Sequence, residues 1–249
     1  MSVISAVGFR FQAALIHFFV CALVALMALV LVFKLWYPEP LYKAAGVARV
    51  FIMMLVIDVV LGPVLTFIVY KKGKRTLVVD LLVIVILQFS ALGYGLWTVA
   101  QGRPAWLVFG VDRFDMIRVV DLDPKAMESA EAKFRSPPLF GPKWAVAIPP
   151  ADVAARNKML FDSLQGGHDL TQRPDLYHSF ESEFEVVKMS LHQLDELEKY
   201  NSRVQTMAFL AKWPQADSWL PLMASAEPMV VLLNKEKMEI LAVVDLRPW

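Results

Sequence analysis

In the stretch IDVVLGPVLTFIVYKKGKR, residues 57–75, the carboxylate of Asp58 lies inside an apolar run, four residues ahead of Gly62-Pro63. A carboxylate in such a run can serve as a proton or ion site, as a polar socket for another helix, or as hydrogen-bonding glue between helices of its own chain. Pro63 cannot donate to the carbonyl of Val59 and is expected to kink the helix one turn from Asp58. Two further polar residues occupy comparable runs. Gln88 is expected at the depth of Asp58 and able to bond it across helices. His17 is expected near Thr66 and Asp80. Asp58, Pro63, Gln88 and His17 are therefore the candidate contacts for a partner helix. Glue or socket is favoured over ion translocation, which normally uses more helices and more intramembrane charge. The depths of Asp58 and His17 differ by more than two helical turns, which argues against a shared catalytic site.

The polar half of the chain offers little catalytic chemistry. His168, His178 and His192 lack ligand spacing, and HDLTQRPDLYH reads as a surface loop more readily than as a metal site. Ser163 and Ser190 have no nucleophile-elbow context, and LQGGHD reads as a turn and not a phosphate loop. Glu181, Glu183 and Glu185 read as a solvated face. The one cysteine, Cys21, lies in an apolar run, which leaves the polar half without a disulfide, a thiol nucleophile or a cysteine ligand. The expectation is no enzyme, no metal and no cofactor.

The elements that must hold these residues follow from hydropathy. Of 249 residues 57% are hydrophobic and 20% are charged, the apolar excess lying before residue 100 and most of the charge after it. Net charge is +1, which gives no indication of nucleic-acid binding. Three apolar runs, about 13–36, 48–70 and 76–99, each reach the ~20 residues a helix needs to cross hydrocarbon. The first is too long for a signal-peptide core and reads as retained. Lys71-Lys72-Gly73-Lys74-Arg75 is the densest basic site and is expected on the cytoplasmic side. The amino terminus is then cytoplasmic, and everything after Gln101 lies outside. Trp36, Tyr37, Tyr42 and Trp97 are expected in the outer interfacial belt. Residues 1–100 form the three-helix transmembrane region and 101–249 an outer domain.

Within that domain, 104–123 reads as two short strands around Asp112-Arg113. A hairpin is expected from Met229–Asn234 and Met238–Leu246. Helices are expected at Pro124–Phe134, at Ala151–Leu164 and across 182–212, where Leu191, Leu194, Leu197 and Met207 partly share a face. This predicts a membrane protein with three transmembrane α-helices and a small α+β domain, its sheet antiparallel and its helices on one side.

Taken in order, His17-Phe18, WYPEPLYKAAGV, DVVLGPVLTFIVY, KRTLVVDLLVI, the glutamine with ALGYG, RPAWLVFGVDRFD and the final Pro-Trp resemble the type IV pilin accessory proteins of the TfpX/TfpZ type. The resemblance covers most of the first 122 residues and the last few. It implies a multi-pass protein of the bacterial inner membrane with a periplasmic domain. It also implies a non-enzymatic chaperone or assembly modulator for a cognate type IV pilin subunit and other pilus assembly components, supporting twitching motility. Against this stands a membrane-tethered periplasmic sensor or ligand-binding protein, disfavoured because the parts expected in the cytoplasm leave no room for an output domain.

Overall fold

Helices form where the sequence is apolar on every face, since such a segment has no polar side to show to water. In the computed structural model, which describes residues 3–249, these are α1 (Val3–Val30), extended by a π-helical turn at Leu31–Trp36, α3 (Val47–Val69) and α4 (Leu77–Gln101). A short helix, α2 (Leu41–Ala44), lies between the first two. The three long helices have the length and hydropathy to cross a membrane. Most of their side chains face outward, among them Phe19, Ile68 and Val78. α1 packs along α3, with Phe33 edge-to-face on Phe51 at 5.8 Å. α4 is held at two close approaches to α3, where Gln88 seats on Gly62 and Met54 on Gly95. Pro63 is buried, and α3 continues as one helix through it.

The chain divides into two compact units. One contains the residues up to Leu35 with Val47–Ala100; the other contains Trp36–Gly46 with Gln101–Trp249. The segment between the first two long helices thus folds with the carboxy-terminal residues. Leu41 and Ala44 of α2 enter a core that includes Leu107, Phe109, Met229 and Val231. The carbonyl of Ala44 accepts from the Ala226 and Glu227 amides at 2.9 and 3.2 Å, and Lys43 pairs with Asp245 at 3.0 Å. Tyr37, expected at an interface with lipid, is instead buried in this unit. Burial drives its phenol pKa well above the ordinary value, against the pull of Arg118 and Arg103.

The second unit is built on an eight-stranded sheet. Its strands are β1 (Pro104–Phe109), β2 (Phe114–Arg118), β3 (Lys143–Ala147), β4 (Tyr177–His178), β5 (His192–Gln193), β6 (Ser218–Met223), β7 (Met229–Asn234) and β8 (Glu239–Val244), in the order β4-β3-β1-β2-β6-β7-β8 with β5 on β6. The expected pairs β1–β2 and β7–β8 are antiparallel neighbours. The sheet as a whole is mixed, not antiparallel, because β1–β3 and β2–β6 run parallel. Parallel partners need a long crossover. The two crossovers here end at β3 and β6, neither of which is expected as a strand from the sequence.

Helices cover both faces, not one. Leu107 and Phe109 point into the core with α2 and with α7 (Phe184–Lys188). Trp106 and Val108 point the other way, toward Phe134 and toward Met159 of α6 (Val153–Leu164). The physical reason is visible in β1 and β7, where all six residues are buried: an unbroken apolar strand needs cover on both sides. The helices begin where caps allow. Asp123 accepts from the Lys125 amide ahead of α5 (Pro124–Ser129), with Pro124 in the first turn, and Asp152 accepts from the Ala155 amide ahead of α6. The long helical region expected at 182–212 is divided into α7, β5, a 3-10 segment at Leu194–Lys199 and α8 (Arg203–Leu210).

Candidate functional site

Three of the four sequence-derived contact residues line one groove in the helical unit. It has a volume of about 520 Å³ and lies among α1, α3 and α4. α1 contributes His17 and Cys21, α3 contributes Asp58 and Thr66, and α4 contributes Gln88. The Gln88 carboxamide N–H donates to the Asp58 carbonyl at 3.0 Å, more weakly to Asp58 Oδ1 at 3.5 Å, and lies 3.6 Å from Cys21 Sγ. A single side chain therefore ties all three helices. Gly62 makes this possible, because a Cβ there would occupy the space of the Gln88 carboxamide. His17 Nδ1 is 2.6 Å from Thr66 Oγ1. Asp58 and Thr66 are eight residues apart on α3, about 12 Å along the axis, so the two polar stations share a groove at different depths. Pro63 is buried in α3 and is not a groove wall. Asp80 pairs with Lys74 at 2.5 Å and accepts from Thr76 at 3.2 Å, away from His17. At the loop end, Lys72 lies over the ring of Phe9 at 4.3 Å.

A second cleft, about 270 Å³, lies in the sheet unit between the β1–β2 turn and β6. Asp112, Arg113, His192, Tyr200, Trp219 and Trp249 line it. His192 stacks on Trp219 at 4.7 Å, and its Nδ1 is 3.8 Å from Glu196. His168 and His178 likewise each face a single carboxylate, Asp123 at 3.9 Å and Glu183 at 4.0 Å. Among the described residues no three His, Cys, Asp or Glu side chains group as metal ligands. Asp115 is a half-buried acid of this unit. Burial holds its carboxyl above the ordinary range, opposed by the Thr171 hydroxyl donating at 3.0 Å and by Arg113 at 3.6 Å. Tyr177 donates to the Thr171 carbonyl beneath it, and burial drives its phenol pKa up.

Comparison with known proteins places this architecture. The family model described as fimbrial assembly protein FimB matches residues 5–46, which are most of α1 and the α2 segment. A fimbrial assembly protein of Dichelobacter nodosus, serogroup E1, is 31% identical over 227 residues, covering 87% of this chain and 88% of that protein. The chain belongs to the fimbrial assembly protein family. The serogroup I protein of the same organism is 32% identical over 181 residues, 72% of this chain and 70% of its own length. No solved structure matches. The family agrees with the resemblance drawn from the ordered motifs of the first 122 residues.

In this family member, two of the residues that meet Gln88 carry no role in the expectation from sequence. Cys21 read only as part of an apolar run, and Gly62 only as a helix breaker. The available signal was that Gly62 and Asp58 are one turn apart on α3, the geometry by which a small residue makes room for a long polar one from a facing helix.

Proposed function

We propose that the protein is an accessory factor of the bacterial inner membrane that binds a cognate type IV pilin and promotes its assembly, an assembly role and not a catalytic one. The observation that carries this reading is the similarity to fimbrial assembly proteins along nearly the whole chain. The three long helices cross the bilayer, with the amino terminus and residues 71–75 cytoplasmic and residues after Gln101 periplasmic. Their outward-facing Phe19, Ile68 and Val78 then meet hydrocarbon, the surroundings that suit so apolar a surface. The pilin's membrane helix docks at the groove through His17, Asp58 and Gln88, with Pro63 shaping α3 behind them. Polar contacts set register there, because apolar contacts alone do not distinguish a helix from lipid. The periplasmic unit meets the pilin head and supplies partner choice.

Deletion tests the role: surface pili and twitching should fall while pilin synthesis persists. Unchanged pilus number and twitching with the cognate pilin would remove the assignment. Asp58→Leu tests the groove. As a socket residue it should keep normal protein levels and lower piliation, with no recovery in Asp58→Leu/Gln88→Leu. As internal glue, each single variant should lose protein and the double variant should regain it.

A further inference from the structure

The groove holds more unpartnered polarity than its own helices satisfy. Gln88 Oε1 is buried, and among the described residues nothing donates to it. Among the described residues the Asp58 carboxylate, able to accept about four bonds, receives one long one from Gln88. These acceptors do not stand alone. Asp58 and Thr66 of α3 and Tyr70 just after its end follow one another, as do Gln12 and His17 along α1, all lining the same groove. The row starts beside the loop that carries Lys71, Lys72, Lys74 and Arg75 and extends from Tyr70, just past the end of α3, about 12 Å along α3 from Thr66 to Asp58. Lys72, seated over Phe9, puts an ammonium at its mouth. Ile16, Val20, Leu81 and Val85 form apolar walls beside it.

We infer that this row is a hydrated seam that admits water from the basic-loop end to Asp58, roughly midway along α3. It rests on the reading of the three helices as membrane spans. Ionisable groups within a membrane face either a protein interior or water, and acyl chains offer no N–H or O–H to the open acceptors. About 520 Å³ has room for water beside the polar row, where Gln12, His17, Asp58 and Tyr70 can partner it, while the rest of the lining is largely apolar. The apolar walls confine that water to the polar side. A seam of this kind lowers the cost of moving a polar side chain of a partner helix between the loop face and mid-bilayer.

The native cysteine reports on this directly. Cys21 lies in the groove beside Gln88 and is the only cysteine of the chain. In inverted membrane vesicles holding the full-length protein, a charged, membrane-impermeant methanethiosulfonate should label Cys21. In a Cys21→Ser background, Leu23→Cys, two residues away on the outward face, should react at least about tenfold more slowly, because the reacting species is the thiolate in water. Asp58→Leu/Gln88→Leu should slow Cys21 labelling while the protein stays in the membrane. If Cys21 is protected although alkali extraction leaves the protein membrane-bound, the groove is filled with lipid and the seam is refuted, while the assembly role stands. If Leu23→Cys reacts as fast as Cys21, or if alkali strips the protein from the vesicles, the spanning reading itself fails and takes the seam with it.

Discussion

At Gly62 the absence of a side chain lets the Gln88 carboxamide reach across to α3. Gly62→Ala should destabilise the helical unit by about 1–3 kcal/mol, despite alanine's better helix propensity, because the new methyl overlaps that carboxamide. Adding Gln88→Ala should recover part of the loss. Thermal melts in detergent would show it, and strictly additive losses would rule the overlap out. Asp115 makes a pH prediction. Its folded pKa is raised above the ordinary 3.8, mainly by burial. Between those two values the native state keeps a proton that the unfolded chain has released. The associated stability is therefore full below about 3.8 and is lost as pH rises through the raised value. Asp115→Asn, which can still accept from Thr171, should gain on the wild type across that window and hold its advantage above it. Unfolding midpoints from pH 3.5 to 7 test this, and a pH-independent difference would contradict it.

At the scale of elements, α2 decides what can fold. Leu41 and Ala44 fill the core beneath β1 and β7, and the Ala44 carbonyl caps two amides of the β6–β7 connection. Removing the segment exposes Leu107, Phe109 and Val231. Gln101–Trp249 produced alone should therefore lack a cooperative melt. The same fragment preceded by Trp36–Gly46 on a flexible Gly/Ser linker should regain one. Within the full chain, Leu41→Ala should cost about 2–5 kcal/mol, the usual range for a truncated core leucine. Cooperative unfolding of the short fragment would show α2 to be an ornament of the fold and not part of it.

For the whole molecule, the proposed orientation places the basic loop and the sheet unit on opposite sides of a bilayer. Alkaline phosphatase fused after Trp249 should be active, and fused at Gly73 inactive. The reverse pattern would overturn the orientation together with the periplasmic encounter with the pilin head. Arg247, which pairs with Glu227 at 2.5 Å and Asp245 at 2.9 Å, ties the last residues to the unit that receives α2. A fusion after Trp249 therefore reports on a folded unit only if that tie persists, which a thermal melt of the fusion would verify.

The sequence by itself determined the three helices, because all-round apolarity over 20 or more residues admits few other structures. It also determined the strands β1, β2, β7 and β8, whose β-branched and aromatic runs are bounded by turns. The Asp58–Gln88 bond was legible because matched depths can be counted along helices of known rise. Only the tertiary structure decided that 36–46 belongs to the sheet unit, since Leu41 and Ala44 look unremarkable until Met229 and Val231 are brought against them. Only it decided that the sheet is mixed. Strand direction depends on which distant segments pair, and β2 and β6 meet across some hundred residues with no local signal of each other. It decided, too, that Gly62 is a seat for Gln88. A missing side chain shows in sequence as a helix breaker and shows its use only when a neighbouring helix fills the space.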